Sequence, residues 1–424
     1  MIDRSTPPST YDIEHYLLTK PTQVILNNNI QLFQFLNSNL NLIHFTIRIK
    51  SGLIYETQKY LTQACFNLLK ESAPNRSASE MDEMLDFYGA SWYVSVNVEY
   101  VSIHWIIPKT NCNILLPILV DILLKPVFKE ENLERFKKKK IKDLEYNELK
   151  YSYRANQLMF HAMFEEETPM GILLDKKHIN ELTIDQINPF YSTYFNSRNV
   201  AIFVAGNIDD SLDQIMNQSF SLIPTGLMSD PVSKLKTSFD PQLIVENRKD
   251  AMQSSFILCK KGISFLNESR RDFSFLSTLL GGYFGSRLMQ NLREKNGYTY
   301  GVQNGSIYFR NSSIYYIESD VTVDKTKNAL EQCFIEMNRL QTEEVSDEEI
   351  KNVKRYLQGT LLRDVDGVVA FMKKYAFWNS FGIDENEFEN TMNLLNHINK
   401  DMIINCAQTH LHYEDFYTII VGNY

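Results

Sequence analysis

The chain has 424 residues, which is more than one ordinary hydrophobic core holds, so we expect about two or three domains. Hydrophobic residues make up 44% and charged residues 22%, a composition typical of globular proteins. The net charge of −9 excludes the basic excess that non-specific nucleic-acid binding requires. No apolar run reaches the ~18 residues of a membrane span. We therefore expect neither a nucleic-acid partner nor a membrane partner.

The cysteines and the N-terminus predict the compartment. Residues 1–11 lack the apolar core of a signal peptide. An odd, scattered set of thiols without CxxC pairs is typical of a reducing compartment, because a disulfide framework needs paired cysteines. The sequence therefore predicts a cytoplasmic protein, although the mature form of an exported precursor would look the same. The five cysteines are Cys65, Cys112, Cys259, Cys333 and Cys406.

The first half begins with strand patterns and continues into helices. Residues 42–50 alternate apolar and polar side chains, which is typical of a half-buried strand. Residues 77–88 have helical spacing; we place the N-cap at Ser79, because Asp82 follows three residues later, and the stop at Gly89. We predict further strands at 23–26, 31–36, 92–107 (two strands or one long hairpin arm) and 200–204, and further helices at 60–70, 111–124, 130–164 and 185–194.

Residues 224–241 have little periodicity and contain Pro224, Gly226, Pro231 and Pro241, so we predict a linker there between domains at 1–223 and 242–424. The second half repeats the order of strands and helices. We predict strands at 243–247, 254–260, 300–308, 313–321 and 417–421, and helices at 272–280, 325–340, 347–362 and 401–410, with a further helix after the glycine turn at 281–282.

A weak internal repeat supports two copies of one α/β unit. Residues 185–207 read DQINPFYSTYFNSRNVAIFVAGN, and residues 401–423 read DMIINCAQTHLHYEDFYTIIVGN. Each stretch predicts a helix, a short loop and an apolar strand that ends in Gly-Asn, and each closes its half of the chain. Any helix-to-strand pair could look similar, but both halves also share the full order of elements.

No complete catalytic motif is present. A zinc hydrolase needs three ligands, usually with two on one helix face, yet the chain has no HxxEH or HExxH. His410 and His412 could share a face, but we identify no third ligand beside them. Nucleophile elbows, phosphate-binding loops and dinucleotide fingerprints are also missing. The glycine cluster at 281–286 predicts a helix stop and restart.

Residues 280–302 read LGGYFGSRLMQNLREKNGYTYGV. This stretch resembles the C-terminal half of insulinase (pitrilysin) family peptidases, whose inverted HxxEH motif lies in the N-terminal half. In that family an Arg and a Tyr seven residues later hold the substrate main chain, and the resemblance assigns these roles to Arg293 and Tyr300. A permanently charged guanidinium fork and a phenol hydroxyl can both donate to a peptide carbonyl. The alternative is an Arg at a helix end beside a core Tyr.

The N-terminal half resembles the same family through SGLIYET at 51–57 and the two helices that follow. Alignment on residues 75–77 puts the two histidine ligands of the family at Gln63 and Asn67, and its general-base Glu at Phe66. An amide is a poor zinc ligand, and Phe cannot accept a proton. The third ligand of the family would fall near Asp143 or Glu145. The resemblance therefore implies that this chain holds no metal, and that zinc is expected in a partner subunit.

The resemblance also implies the architecture and the function. We expect an α+β fold of two tandem homologous α/β domains, each a mainly antiparallel sheet with packed helices, together forming half of a clam-shell. We expect a non-catalytic, substrate-binding subunit of a heterodimeric zinc peptidase that degrades unfolded peptides. Arg293 and Tyr300 would face the zinc of a homologous partner, the chain alone would be inactive, and a homodimer is possible in isolation.

Two alternatives stay open at this point. The chain could be a structural or binding homologue without a role in proteolysis, in which case the Arg/Tyr pair would be architectural. It could also be an independent hydrolase that uses unrecognised residues. A peptidase assay and zinc analysis of the isolated chain would distinguish the second alternative from the others.

Overall fold

The computed structural model describes residues 16, 18–164, 168–228, 239–310 and 312–424. Most of the predicted linker, residues 229–238, lies outside these ranges. No helix within them combines the length and the apolar character needed to cross a membrane. The five cysteines are free thiols.

The first sheet is built from residues of the N-terminal half. Strand β3 shows why the sheet forms, because Ile43, Phe45, Ile47 and Ile49 alternate along it and are buried on one face. The six strands are ordered β1-β2-β6-β3-β5-β4, so β4 is an edge strand. Their bounds are β1 Thr22–Ile25, β2 Gln31–Leu36, β3 Leu42–Ile49, β4 Ser91–Val96, β5 Val101–Pro108 and β6 Val200–Gly206.

Eight α-helices come from the same half of the chain, counted over the described residues. They are α1 Leu61–Leu68, α2 Ala78–Phe87, α3 Cys112–Leu124, α4 Glu130–Glu148, α5 Tyr151–Met163, α6 Lys176–Asn180, α7 Ile184–Tyr194 and α8 Asp210–Phe220.

The second sheet has five strands in the order β7-β11-β8-β10-β9, and β9 lies at one edge. The strands are β7 Leu243–Asn247, β8 Gln253–Lys261, β9 Thr299–Phe309, β10 Ser312–Thr322 and β11 Tyr417–Gly422. The helices are α9 Arg270–Ser277, α10 Thr326–Thr342, α11 Asp347–Arg363, α12 Gly367–Ser380, α13 Asn386–His397 and α14 Lys400–His410, with π-helical turns at Thr278–Gly282 and Met289–Lys295.

The two copies predicted from the repeat occupy equivalent places. Strand β6 follows α7 and pairs parallel with β2 and antiparallel with β3. Strand β11 follows α14 and pairs parallel with β7 and antiparallel with β8. Both strands end at a glycine with positive φ, +145° at Gly206 and +140° at Gly422. The predicted fold class, two tandem α/β units with mainly antiparallel sheets, is confirmed.

One helix from each half packs on the sheet of the other half. Helix α12 lies on β2 and β6, where the Phe33 ring is 5.4 Å from the Tyr375 ring and the Phe35 ring is 5.2 Å from the Phe371 ring. Helix α5 lies on β8 and β11, and its Arg154 side chain donates to the Glu246 carboxylate of β7 at 2.8 Å. Each hydrophobic core therefore contains residues from both sides of the predicted linker. The domain boundaries at 223 and 242 remain a prediction.

Several details differ from the sequence expectations. The N-cap of α2 is Ser77, not Ser79, because the Ser77 hydroxyl accepts from the Glu80 N–H and the Glu80 carboxylate accepts from the Ser77 N–H. The single helix predicted at 130–164 is two helices, since α5 turns away from α4 to cover the second sheet. Helices α6, α8, α12 and α13 were not predicted.

Candidate functional site

Arg293 lies in the π-helical turn Met289–Lys295, which ends in a glycine cap. Gly297 has φ +62°, the left-handed conformation that a side chain strains. The Gly297 N–H donates to the Arg293 carbonyl at 3.1 Å, and the Tyr298 N–H donates to the Leu292 carbonyl at 2.8 Å. Gly297 therefore ends the helical turn and directs the chain into β9.

A buried polar anchor holds this turn on the body of the protein. The Asn291 amide donates to the Glu336 carboxylate at 2.7 Å and to the Gln332 side chain at 3.0 Å, both on α10. The Asn296 amide donates to the Asn291 side-chain oxygen at 2.7 Å. Buried polar groups that are fully bonded rigidify their surroundings. The backbone that carries Arg293 is thus fixed to α10.

Tyr300 lies on edge strand β9 at a β-bulge. Thr299 pairs with Val321 and Val302 pairs with Ser319, so β9 has one more residue than β10 in this interval. A bulge turns a side chain out of the regular alternation of the strand. The Tyr300 side chain is 91% exposed.

Two hydroxyl groups stabilise the bulge. The Thr299 hydroxyl accepts from the Gly301 N–H at 3.0 Å and lies 2.7 Å from the Asp320 carbonyl. The Ser319 hydroxyl lies 2.8 Å from the Gly301 carbonyl. Since the bulge removes regular ladder bonds, these contacts satisfy backbone groups that would otherwise lack partners. The outward direction of Tyr300 therefore has a defined local cause.

The Arg293 guanidinium has weak contacts with its neighbours. Its carbon lies 4.8 Å from the centroid of the Phe284 ring, within cation–π range. Its Nε lies 3.5 Å from the Glu294 carboxylate, and both side chains are well exposed, so this ion pair stabilises little. Phe284 is 60% exposed, and it belongs to the glycine cluster that sequence reasoning interpreted only as a helix stop and restart. The sequence feature that could have indicated this contact is a large aromatic residue, Phe284, between Gly282 and Gly285.

The three positions that the sequence resemblance assigns to a lost metal motif lie on α1. Phe66, at the general-base position, is fully buried, and its ring lies 5.9 Å from the Tyr191 ring. Gln63 is part-buried and Asn67 is exposed. The Asn67 amide donates to the Gln63 backbone carbonyl at 2.7 Å, so it bonds its own helix.

Gln63 and Asn67 line a cavity of about 580 Å³ that Asp143 of α4 also lines. The alternative third position, Glu145, is bonded to Lys176 at 2.7 Å instead. Of the two carboxylates that the alignment left open, the structure brings Asp143 to the two amides. Lysines 139 and 140 line the same cavity, and burial lowers the pKa of Lys140.

These residues do not fit a zinc ion. Two amides and one carboxylate are a weak ligand set for zinc, and the three lysines and one arginine that line the same cavity repel a divalent cation. Among the described residues, no group of three or more His, Cys, Asp or Glu side chains could hold a metal ion. We derive no reaction step from a metal in this chain.

Comparisons with known proteins agree with this arrangement. Residues 181–357 match the family described as the peptidase M16 inactive domain. An uncharacterized zinc protease of Rickettsia felis is 23% identical over 396 residues, 90% of this chain and 93% of the relative. The non-peptidase homolog YmxG of Helicobacter pylori is 22% identical over 268 residues, 62% of this chain and 61% of the relative.

Solved structures show the same fold. The peptidase M16 inactive domain from Pseudomonas fluorescens superposes with a TM-score of 0.87 at 16% identity, covering 95% of this chain and 98% of that one. The periplasmic protease PqqL from Escherichia coli superposes with a TM-score of 0.80 at 12% identity, covering 100% of this chain but 49% of that one. Residues 181–357 are therefore similar to the peptidase M16 inactive domain, and the chain as a whole has the fold of the solved M16 inactive domain.

Proposed function

We propose that the chain is the non-catalytic, substrate-binding subunit of a two-part zinc peptidase that degrades peptides. In this proposal the partner is a homologue with an intact HxxEH motif, and Arg293 and Tyr300 of this chain face its zinc. The isolated chain cuts no peptide bond. We place the complex in the cytoplasm, on the basis of the dispersed free thiols.

The observation that carries the proposal is the exposure of Tyr300. Tyr300 is 91% exposed beside a β-bulge that hydrogen bonds hold in place, so its side chain contributes almost nothing to the stability of the fold. Its hydroxyl has no hydrogen-bond partner among the described residues. Arg293 is part-exposed, and its guanidinium has a weak ion pair with Glu294 and a contact with the Phe284 ring. Both groups are held on a fixed backbone with their donors free, which is what recognition of an external ligand requires.

The chemistry follows from the donor types. The guanidinium remains charged at any physiological pH, and the phenol donates one hydrogen bond. Donors aimed at a peptide carbonyl bind the substrate main chain, and they bind more strongly when negative charge develops on that oxygen. The partner's zinc would activate the attacking water and polarise the same carbonyl. This chain would therefore orient the substrate and stabilise the oxyanion.

The length relationship to PqqL supports a two-part assembly. This chain matches about half of that protease over its whole own length, so a second chain of similar size would complete a comparable enclosure. The half clam-shell expected from the sequence is part of the proposal. A peptide in the enclosure would contact residues from both chains.

The proposal is tested by reconstituting the complex with the zinc-bearing homologue and assaying peptide cleavage. Arg293→Ala and Tyr300→Phe should each lower kcat/KM, by about 10²–10³-fold if they contact the oxyanion, because one such donor has that effect in other hydrolases. Lys295→Ala is the matched control, an exposed cation two residues from Arg293 that should leave the rate unchanged. The partner should bind zinc in a one-to-one ratio, and this chain should bind none.

A second candidate is a homologue without a role in proteolysis. The relative in Helicobacter pylori is named a non-peptidase homolog, which favours this alternative. A complex that retained full activity with both Arg293→Ala and Tyr300→Phe would support it. Chelator-sensitive cleavage by this chain alone would contradict both candidates.

A further inference from the structure

A second cavity lies where the two halves of the chain meet, away from Arg293 and Tyr300. It has a volume of about 690 Å³. Its walls come from β3 with Arg48, the loop before β6 with Ser197 and Arg198, the turn after β9 with Arg310, and the end of α12 with Ser380. Because both halves contribute, the cavity exists only in the folded, joined chain.

The wall of this cavity is cationic. Three arginines and Lys50 line it, and none of the lining residues in the described ranges is an Asp or a Glu. Glu99 lies near the rim, where its carboxylate accepts from the Arg310 backbone N–H at 2.9 Å. The Arg198 side chain forms no ion pair with any residue that the structure describes. Among the described residues, the three arginines against one carboxylate near the rim leave an excess of positive charge.

Arg48 is half-buried and has no anionic partner among the described residues. Its guanidinium donates to the Ala376 carbonyl and, at 3.4 Å, to the Ser380 hydroxyl, and it lies 5.3 Å from the Tyr100 ring and 5.5 Å from the Phe203 ring. Its buried Nε has no hydrogen-bond partner among the described residues. Burial lowers the pKa of Arg48 to about 10. A partly buried cation with neutral partners is destabilising unless an anion compensates it.

Ser197 adds an unused hydroxyl to the same wall. Its side chain is 3% exposed, and its oxygen has no hydrogen-bond partner within the ranges described. The adjoining chain is well fixed, since the Ser197 N–H donates to the Pro224 carbonyl at 2.8 Å and the Asn196 amide lies 3.4 Å from the Leu227 carbonyl. The backbone that carries Ser197 in the cavity wall is therefore held in place.

We propose that this junction cavity binds a small phosphate-bearing anion, held by Arg48, Arg198 and Arg310. Guanidinium groups pair with planar or tetrahedral oxyanions through two hydrogen bonds, and several cations around one cavity favour a dianion over a single carboxylate. The volume exceeds that of phosphate and leaves room for an organic group attached to it. The bound anion joins the two halves of the chain and stabilises their contact.

The test is calorimetric titration of the full chain with inorganic phosphate, pyrophosphate and AMP, at matched ionic strength against sodium chloride and sodium acetate. Saturable binding of the phosphate compounds, with no binding of chloride or acetate, is expected. Tighter binding of AMP than of phosphate would show that the cavity also contacts the organic group. Equal affinity would show that it recognises the phosphate alone.

Variants locate the binding in this cavity. Arg48→Met should weaken phosphate binding by about tenfold or more, since it removes a charged hydrogen bond. Because Arg48 is half-buried and its variant could fail to fold, Arg198→Ala and Arg310→Ala, at exposed positions, provide independent tests and should each weaken binding several-fold. Lys139→Ala, in the α1 cavity, is the matched control and should leave binding unchanged.

Absence of saturable phosphate binding to the wild-type chain would overturn the inference. So would binding that neither Arg198→Ala nor Arg310→Ala weakens. The measurement needs no partner subunit and no peptidase activity. Its failure would therefore leave the proposed role of Arg293 and Tyr300 unaffected.

Discussion

Helix α1 and the segment from Met289 to Tyr300 carry the two sets of positions that the sequence resemblance singles out, the metal-motif positions and the Arg/Tyr pair. Helix α1 buries Phe66 completely and bonds the Asn67 amide to its own backbone. The other segment anchors its backbone through Asn291 and leaves Tyr300 91% exposed. At the α1 positions Phe66 and Asn67 the side chains are buried in the core or bonded to their own helix, and where a binding role is proposed, the backbone is fixed and the side chains are exposed.

The largest effect should come from Phe66→Ala, which tests whether the former general-base position is now core. Loss of a fully buried phenyl ring should lower the free energy of unfolding by about 3–5 kcal/mol. Urea unfolding measures it. Gln63→Ala, part-exposed on the same helix, is the control and should change it by about 0.5 kcal/mol or less. Equal, small losses for both variants would contradict the comparison.

Glu56, just before α1, should make the stability of this region depend on pH. Burial raises the pKa of Glu56 from 4.5 to about 7, against the opposing effect of Lys59. The folded state therefore binds a proton more tightly than the unfolded state. The stabilisation that the protonated Glu56 gives the folded state is fully present below about pH 4.5 and is lost as the pH rises through about 7. The slope is about 1.4 kcal/mol per pH unit in that window.

Glu56→Gln should remove this pH dependence, because the amide keeps the acceptor for the Thr62 N–H without titrating. Unfolding free energies at pH 5, 6, 7 and 8 measure the effect, and the variant should gain most over wild type at pH 8. Glu131→Gln, exposed in the first turn of α4, should retain the wild-type profile. A wild-type stability that rose from pH 5 to pH 8 beside a flat Glu56→Gln profile would show that the sign is wrong.

Gly297→Ala tests the cap that positions Arg293 and Tyr300. An alanine at φ +62° should lower the free energy of unfolding by about 1 kcal/mol through backbone strain, since no atom lies within 4 Å of the added methyl group. Gly359→Ala in α11 is the control, also without close neighbours, and should stabilise by about 0.5–1 kcal/mol. Thermal unfolding that shifted in the same direction for both would contradict the left-handed requirement.

The smallest effect should come from Phe284→Ala, and it depends on the proposed function. Removal of the ring 4.8 Å from the Arg293 guanidinium should lower kcat/KM of the assembled peptidase about 2- to 5-fold, the equivalent of one exposed cation–π contact. Phe284→Tyr should preserve the rate. Phe87→Ala, an exposed phenylalanine on α2, should have no effect. A rate unchanged by Phe284→Ala would show that the ring does not position Arg293.

The order of strands and helices was largely predictable, since alternation and helical spacing are local properties. Strands 31–36 and 243–247 agree with β2 and β7, and the repeat at 185–207 and 401–423 anticipated the equivalent places of β6 and β11. Helix α12 was not predicted, although Phe371, Tyr375 and Trp378 are spaced i, i+4 and i+7 on one face, because further apolar residues such as Val369 and Phe377 lie outside that stripe and obscure the period. That helix also joins the two cores.

The N-cap of α2 shows what the capping-box pattern can and cannot predict from sequence. Both Ser77 and Ser79 are followed three residues later by an acidic residue, so the sequence allowed either serine to cap the helix. The capping box forms at Ser77 and Glu80, two residues earlier than predicted. The choice depends on where the preceding loop joins the helix, which is a tertiary property.

By itself the sequence determined residue chemistry and spacing. It showed the absence of HxxEH and the presence of an Arg and a Tyr seven residues apart across a glycine, and its resemblance to a known family implied amides and a phenyl group at the metal-motif positions. Only the tertiary structure decided which of these groups are buried, that Asp143 rather than Glu145 lines the same cavity as Gln63, and that Arg48, Arg198 and Arg310 line one cavity. Burial and long-range proximity depend on how distant elements pack, and local spacing carries no information about that packing.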